Sequence, residues 1–371
     1  MKDSKNILQF LKFSAPYPGN FMQSLIKLDQ VAKKAGVDTV YLFCKDTSHV
    51  AWMQEFMKDH KNVYFLSGSY FKDVSLVKQI MKQHQVKYVH THFTTAKHNS
   101  LIKVANFSYG AKLFTINHLH NHQPVEGILK ATIKNLMTHT DLYIGCSQSV
   151  AEDYKKTHPQ LSNKTTFVTN GIEFTRLDTT AKLDRKDFQI PANAKIFLMF
   201  GFDYHRKGVD VLLEAMKNLR VKGEEVYLLI SLSRNKEKLA ETIKQNFGEL
   251  PSWLKIVEAR EDVGTYFKFA DCFVSASREE GLATSLVEAV YCGCPIITSN
   301  IPGPNSLGIP YTYTFESEDV AGLQKQMEAV MALSDAETQN ITAAQKAHAV
   351  KTFGIDVWAE KIFATYKNLD S

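Results

Sequence analysis

Short, uninterrupted apolar runs alternate along the chain with longer stretches in which apolar residues recur at helical spacing. The runs at Ile7 to Phe13, Thr39 to Cys44, Tyr88 to Thr91, Leu113 to Asn117, Leu142 to Cys146 and Thr166 to Thr169 predict buried strands. Between them the pattern predicts amphipathic helices, among them Ser75 to Gln85 and Gly127 to His139. This alternation implies a doubly wound, mostly parallel sheet. After Asn170-Gly171 the stretch from Glu173 to Ala194 is polar and charged, with a proline at Pro191, and reads as a linker. The alternation restarts at Ile196 to Phe200 and continues through Val226 to Ser231, Leu254 to Val257, Cys272 to Ser275 and Pro295 to Thr298. Two sheets in series are therefore expected, with their strand carboxyl ends on either side of a cleft. Ligands of open parallel sheets bind at that edge.

Composition narrows the class. A chain of 371 residues suits two domains better than one core, and an apolar fraction of 44% fits a packed globular protein. Five cysteines, Cys44, Cys146, Cys272, Cys292 and Cys294, are an odd number without a paired metal spacing and point to a reduced, cytoplasmic compartment. The apolar run Ile7 to Leu11 is too short for a signal peptide, and no apolar run reaches the ~20 residues of a membrane span. Residues 1–173 hold 21 Lys and Arg against 12 Asp and Glu, a net +9, leaving 23 against 27, a net −4, for the rest. A basic first half could meet an anionic membrane surface, although ordinary sheet-covering helices carry the same pattern. Nucleic acid is excluded as a partner, because the basic residues are scattered and no recognition motif is present.

Candidate chemistry concentrates after the strand at Cys272 to Ser275. Glu280 and Glu288 flank a loop-to-helix junction, and Gly293 and Pro295 supply the helix stop. A rise of 1.5 Å per residue would put the two carboxylates roughly 8 to 12 Å apart. A diphosphate would fit over the helix start between them, where unpaired amides favour anions, with one carboxylate accepting from sugar hydroxyls and the other from ribose hydroxyls. The alternative is a surface turn with two unrelated glutamates. Eleven of the thirteen histidines lie in the first half, including His90, His92, His118, His120 and His122. No cysteine or carboxylate lies close in sequence to complete a zinc shell around them, so no metal site is expected. Strand-end structure is the expected role of His90 and His92.

The blocks Glu280-Gly281-Leu282, Leu286-Val287-Glu288-Ala289 and Gly293-Cys294-Pro295 together resemble the donor-site signature of retaining, family 4 glycosyltransferases of the GT-B fold. The run from Gly201 to Ala215, with Arg206-Lys207-Gly208, resembles that family's strand, basic loop and helix, and His90 to Phe93, Cys146-Ser147 and Val168 to Ile172 match further blocks in order. The resemblance implies an α/β fold of GT-B type, two doubly wound Rossmann-like domains facing a central cleft. It implies an acceptor-side domain over 1–175, a donor-binding domain over 181–354, and a final helix within 355–371 crossing back to the first. Carried onto this chain, Lys207 and Arg206 meet the charge on the departing diphosphate, Glu280 binds sugar hydroxyls, and His118, with His120 in reserve, lies beside the sugar. Gly19, Gly281, Leu282, Ala283, Thr284, Ser285 and Glu288 would line the donor. Two features depart from the family: Phe202 stands where an arginine is common, and the first glycine-rich loop is reduced to Pro16 to Asn20.

The resulting expectation is a metal-independent transferase with no cofactor, moving a hexose from a nucleotide sugar, foremost a UDP-sugar, to a glycan or lipid-linked acceptor with retention. Polysaccharide or cell-wall glycan synthesis is the setting, in the cytoplasm or at the inner face of the cell membrane. A non-catalytic subunit serving a partner transferase, and an epimerase or phosphorylase of the same fold, are the competing readings.

Overall fold

The computed structural model describes residues 6–15, 17–107, 109–117, 140–233 and 235–368, with the backbone alone at 96 and 114–117. It divides into two compact units, Met1–Gly171 with Ile355–Ser371, and Ile172–Gly354. The first unit runs β1 (Asn6–Leu11), α1 (Gly19–Lys34), β2 (Thr39–Phe43), α2 (Ala51–Asp59), β3 (Val63–Phe65), α3 (Tyr70–Gln83) and β4 (Val86–His92). It continues with α4 (Ala96–Asn106), β5 (Lys112–Asn117), β6 (Leu142–Gly145), α5 (Gln148–Thr157) and β7 (Thr165–Phe167). The second runs β8 (Lys195–Phe200), α6 (Val209–Val221), β9 (Val226–Leu232), α7 (Lys236–Phe247), β10 (Leu254–Glu258), α8 (Gly264–Phe269) and β11 (Cys272–Ser275). Then come α9 (Thr284–Tyr291), β12 (Ile296–Ser299), α10 (Pro302–Asn305), β13 (Tyr313–Phe315), α11 (Val320–Met331) and α12 (Asp335–Phe353). The last helix, α13 (Ile355–Asn368), belongs to the first unit.

Each unit holds one parallel sheet, ordered β3-β2-β1-β4-β5-β6-β7 in the first and β10-β9-β8-β11-β12-β13 in the second. In both, the order reverses beside the first strand, between β1 and β4 and between β8 and β11. Such a reversal leaves a crevice at the carboxyl ends, where two loops diverge to opposite faces. The first strand of each sheet is largely apolar and buried, as Ile7, Leu8, Phe10 and Leu11 on β1 and Ile196 to Met199 on β8 show. Helix α6 buries Val209, Leu212, Leu213, Met216 and Leu219, a single stripe at three- and four-residue spacing.

His90 and His92 are fully buried on β4, as their strand setting suggested. Tyr366 of α13 reaches them: its hydroxyl lies 2.5 Å from His90 Nδ1 and accepts from Gln9 Nε2 at 3.4 Å, while Gln9 Oε1 lies 2.8 Å from His92 Nε2. This polar network and the apolar side of α13, with Trp358, Ile362 and Phe363 in the core under α1, fasten the last helix to the first sheet.

The stretch expected to be a linker, Glu173 to Ala194, is instead folded onto the second unit. It forms 3-10 turns at Phe174–Leu177 and Arg185–Phe188 and buries Leu177, Ile190 and Ala194. Its polar composition misled because its few apolar residues anchor it singly rather than as a stripe. The helix expected over Ser75 to Gln85 starts earlier, at Tyr70, because buried Asp73 accepts from the amides of Ser67 and Gly68 and fixes the entering turn. The helix expected over Gly127 to His139 lies outside the described residues.

Candidate active site

The loops after β8 and β11 meet at the switch point of the second sheet. Gly208 allows the meeting: its backbone is left-handed (φ +66°), and a Cβ there would stand 2.0 Å from the Ala276 carbonyl oxygen. The Arg278 amide donates to the Arg206 carbonyl at 2.8 Å. The Arg278 guanidinium then forks onto Asp210 at the start of α6, with both contacts at 2.9 Å, and donates through Nε to Glu318 at 2.7 Å. These bonds to two carboxylates hold its pKa above the ordinary arginine value.

On this frame Lys207 Nζ donates to Glu280 Oε1, and Ser277 Oγ donates to the same oxygen at 2.8 Å. Arg206 Nη1 stands 3.9 Å from Glu280 Oε2 and donates to the Glu279 carbonyl at 3.3 Å. The Phe202 ring lies beneath both cations, 5.0 Å from the Arg206 guanidinium carbon and 4.7 Å from Lys207 Nζ. The residue that departs from the expected arginine thus supports the two charges through its ring face. Burial lowers the pKa of Lys207, and the Glu280 carboxylate works against that shift. Two cations held by one carboxylate in a partly dry crevice form a ready anion site.

Helix α9 begins at Thr284, with Ala283 at its cap in a left-handed conformation (φ 58°) that a residue with a Cβ adopts only at a cost. Leu282 and Ala283 are buried, and Thr284 and Ser285 open the first turn, so the amides expected to meet an anion do lie at a helix start beside Glu280. A Cβ on Gly303, in α10, would fall 2.1 Å from the Glu280 carbonyl oxygen, which wedges this loop from its other side.

Glu288 is buried in α9 and does not join the Lys207 cluster through any ion pair among the described residues. Its partner is Arg176, from the first 3-10 turn, whose Nη2 donates to Glu288 Oε1. Burial raises the Glu288 pKa and the guanidinium opposes the rise. Arg176 and Phe202 were missed in the sequence: the first sits in the supposed linker, and the second was noted only as a departure. Gly19 begins α1 in the first unit, with Tyr17 beside it. His118 and His120 lie outside the described residues. Among the described residues no group of three His, Cys, Asp or Glu side chains is arranged to hold a metal ion.

Residues 181–347 match the family model of glycosyl transferases group 1. The matched segment contains the whole Lys207 cluster and α9. Similarity extends over both units: an Escherichia coli protein named O-antigen biosynthesis glycosyltransferase WclY is 23% identical over 353 residues, spanning 91% of this chain and 96% of its own. A solved glycosyltransferase from Rickettsia africae superposes with a TM-score of 0.81 at 18% identity, covering 98% of each chain. Anabaena Alr3699/HepE, solved in complex with UDP and glucose, superposes with a TM-score of 0.77 at 17% identity, covering 98% of this chain and 100% of its own. The fold is therefore that of the GT-B glycosyltransferases, with two Rossmann-like units.

Proposed function

We propose that the protein is a retaining hexosyltransferase that moves a hexose from a nucleotide sugar, foremost a UDP-sugar, to a glycan or lipid-linked acceptor in polysaccharide synthesis. The observation that carries this reading is the Lys207–Arg206–Glu280 cluster beside the start of α9, inside the segment matching group 1. Breaking the bond from the anomeric carbon to the diphosphate builds negative charge on the departing oxygens. Lys207, Arg206 and the α9 amides meet that charge, so the chemistry needs no metal or cofactor. Glu280 accepts from the sugar hydroxyls, and as the acceptor oxygen bonds to the anomeric carbon and the bond from that carbon to the diphosphate breaks, a departing phosphate oxygen takes the acceptor's proton on the same face of the sugar. Glu288 accepts from the ribose hydroxyls. The relatives named for O-antigen synthesis and the neighbour holding UDP and glucose support the donor and acceptor classes.

The first unit receives the acceptor. Action at the cytoplasmic face of an anionic membrane agrees with that unit's net positive charge and with five free cysteines. No helix among the described residues is long and apolar enough to cross a membrane.

Thermal shift against UDP, GDP, ADP and their hexose conjugates tests the donor, because a bound ligand stabilises the folded chain by RT ln(1 + [L]/Kd). A shift confined to one uridine conjugate, donor hydrolysis that persists in EDTA, and an α-linked product by NMR from an α-linked donor are expected. Donor hydrolysis by the isolated chain would exclude a non-catalytic subunit, and failure to bind any of these donors would sink the donor reading.

A further inference from the structure

Glu288 is 8% exposed and sits among Leu286, Val287, Ala289 and Val290 on a helix with no basic residue in its last turn. An ionised carboxylate in such a place needs a counter-charge. The counter-charge comes from outside the helix, and the turn that supplies it is firmly built. Leu177 is fully buried, and its carbonyl oxygen is 2.1 Å from where a Cβ on Gly264 would stand. Glu173 caps the turn by accepting from Thr175 through both its amide and its hydroxyl. Phe174 stacks on Tyr291 of α9 at 4.4 Å, and the Tyr291 hydroxyl donates to Asp178 at 3.1 Å. Arg176 is thus aimed at Glu288 from a braced segment. Its Nε is buried without a hydrogen-bond partner among the described residues, so the guanidinium's strong contact is the one to the carboxylate.

We propose that Arg176 is a positioning residue that keeps Glu288 ionised and oriented as an acceptor for the vicinal hydroxyls of the donor's ribose, so that recognition of a ribonucleotide depends on this pair. The inference rests on the donor reading of the second unit. A carboxylate accepts from two hydroxyls at once, whereas a protonated carboxyl must give up one of those sites to its own proton. Burial raises the Glu288 pKa and Arg176 restrains the rise, so loss of the guanidinium lets protonation begin at a higher pH. The other groups around Glu288 do not replace it. Cys292, one turn on, has its thiol pushed up to about 12 by burial and stays neutral. Glu173 and Asp178 on the bracing segment are acidic. Lys346 of α12 lies over the Tyr291 ring at 4.4 Å, and Lys268 of α8 donates to the Thr179 carbonyl.

The test is calorimetric binding of UDP-glucose, whose diphosphate diester does not titrate between mildly acidic and mildly alkaline pH, to the full chain and its Arg176→Gln and Arg176→Lys variants. Wild type should change affinity by less than about twofold across that range, while Arg176→Gln should weaken by roughly tenfold or more on the acid side and recover on the alkaline side. Arg176→Lys, which keeps the charge, should restore the flat profile. A donor with 2′,3′-dideoxyribose should be insensitive to both substitutions. A flat profile in Arg176→Gln, or an equal acid-side loss for both donors in that variant, would overturn the role assigned to Arg176. If Arg176→Gln does not fold, Glu288→Gln, which takes the place of the protonated carboxyl at every pH, should lose roughly tenfold in UDP-glucose affinity and leave the dideoxy donor unaffected, and equal losses for the two donors there would overturn the proposal. Wild type that fails to bind UDP-glucose at any pH would remove the donor reading as well, which separates the two failures.

Discussion

The most informative single residue is Lys207. On the proposed transfer chemistry, removing its ammonium by Lys207→Ala should lower kcat by about 10² to 10³ with little change in KM, as measured in steady-state donor turnover, because the charge on the departing diphosphate would develop mainly in the transition state. Its pH dependence follows from its setting. Burial holds its pKa below the ordinary 10.5, so activity should fall on the alkaline side before free lysine would titrate, and Lys207→Arg should remove that limb. The stability contribution of the same group has the opposite sign. Between the lowered folded value and 10.5 the unfolded chain binds more protons, so this group's contribution to stability rises with pH while activity falls. An alkaline loss that tracked unfolding would contradict the assignment. The sequence made Lys207 and Glu280 readable because charges between glycines after a strand have few structural uses. It hid their mutual ion pair, which joins residues 73 positions apart. It hid Arg176 for a related reason: a guanidinium in a polar stretch looks solvated until the fold buries its partner.

At the level of elements, the crevice depends on two loops approaching more closely than side chains permit. Gly208→Ala would press a Cβ against the Ala276 carbonyl and force a left-handed backbone on alanine, and should cost about 2 to 4 kcal/mol in urea denaturation of the second unit. Equal stability of the variant would mean that the two loops can separate freely. Arg278 does related work with hydrogen bonds, linking the start of α6, the basic loop and Glu318, and a lysine there would lose the fork that grips Asp210. The central strands were legible as apolar runs because both faces of a parallel sheet are covered. β3 and β13 were not. Each is a three-residue edge strand, Val63–Phe65 and Tyr313–Phe315, and such lengths carry no period to read. The boundaries of α3 escaped for another reason, since a buried aspartate rather than an apolar stripe sets its start.

Across the whole molecule, the two units should respond differently to ligand and to truncation. UDP-glucose at 100 times its Kd should stabilise the second unit by about 2.7 kcal/mol, which hydrogen exchange resolved by residue would report over β8, β11 and α9. Ending the chain before Ile355 should have the converse effect. It removes Trp358, Ile362 and Tyr366 from the first unit's core and leaves His90 without the Tyr366 hydroxyl, so protection should collapse over β1 and β4 and persist over β8 and β11.

The placement of α13 also has a temporal consequence. The first unit's sheet is complete once Phe167 has left the ribosome, but the helix that covers α1 follows only after the 183 residues of Ile172–Gly354. At ordinary translation rates that interval is roughly 10 to 40 s. During it the apolar side of α1 and the buried histidines await their cover, so the second unit can finish folding while the first is still open to chaperones. Slow decoding within the second unit would lengthen that exposure and should lower the yield of native chain, even though every residue of the first unit's sheet is already in place.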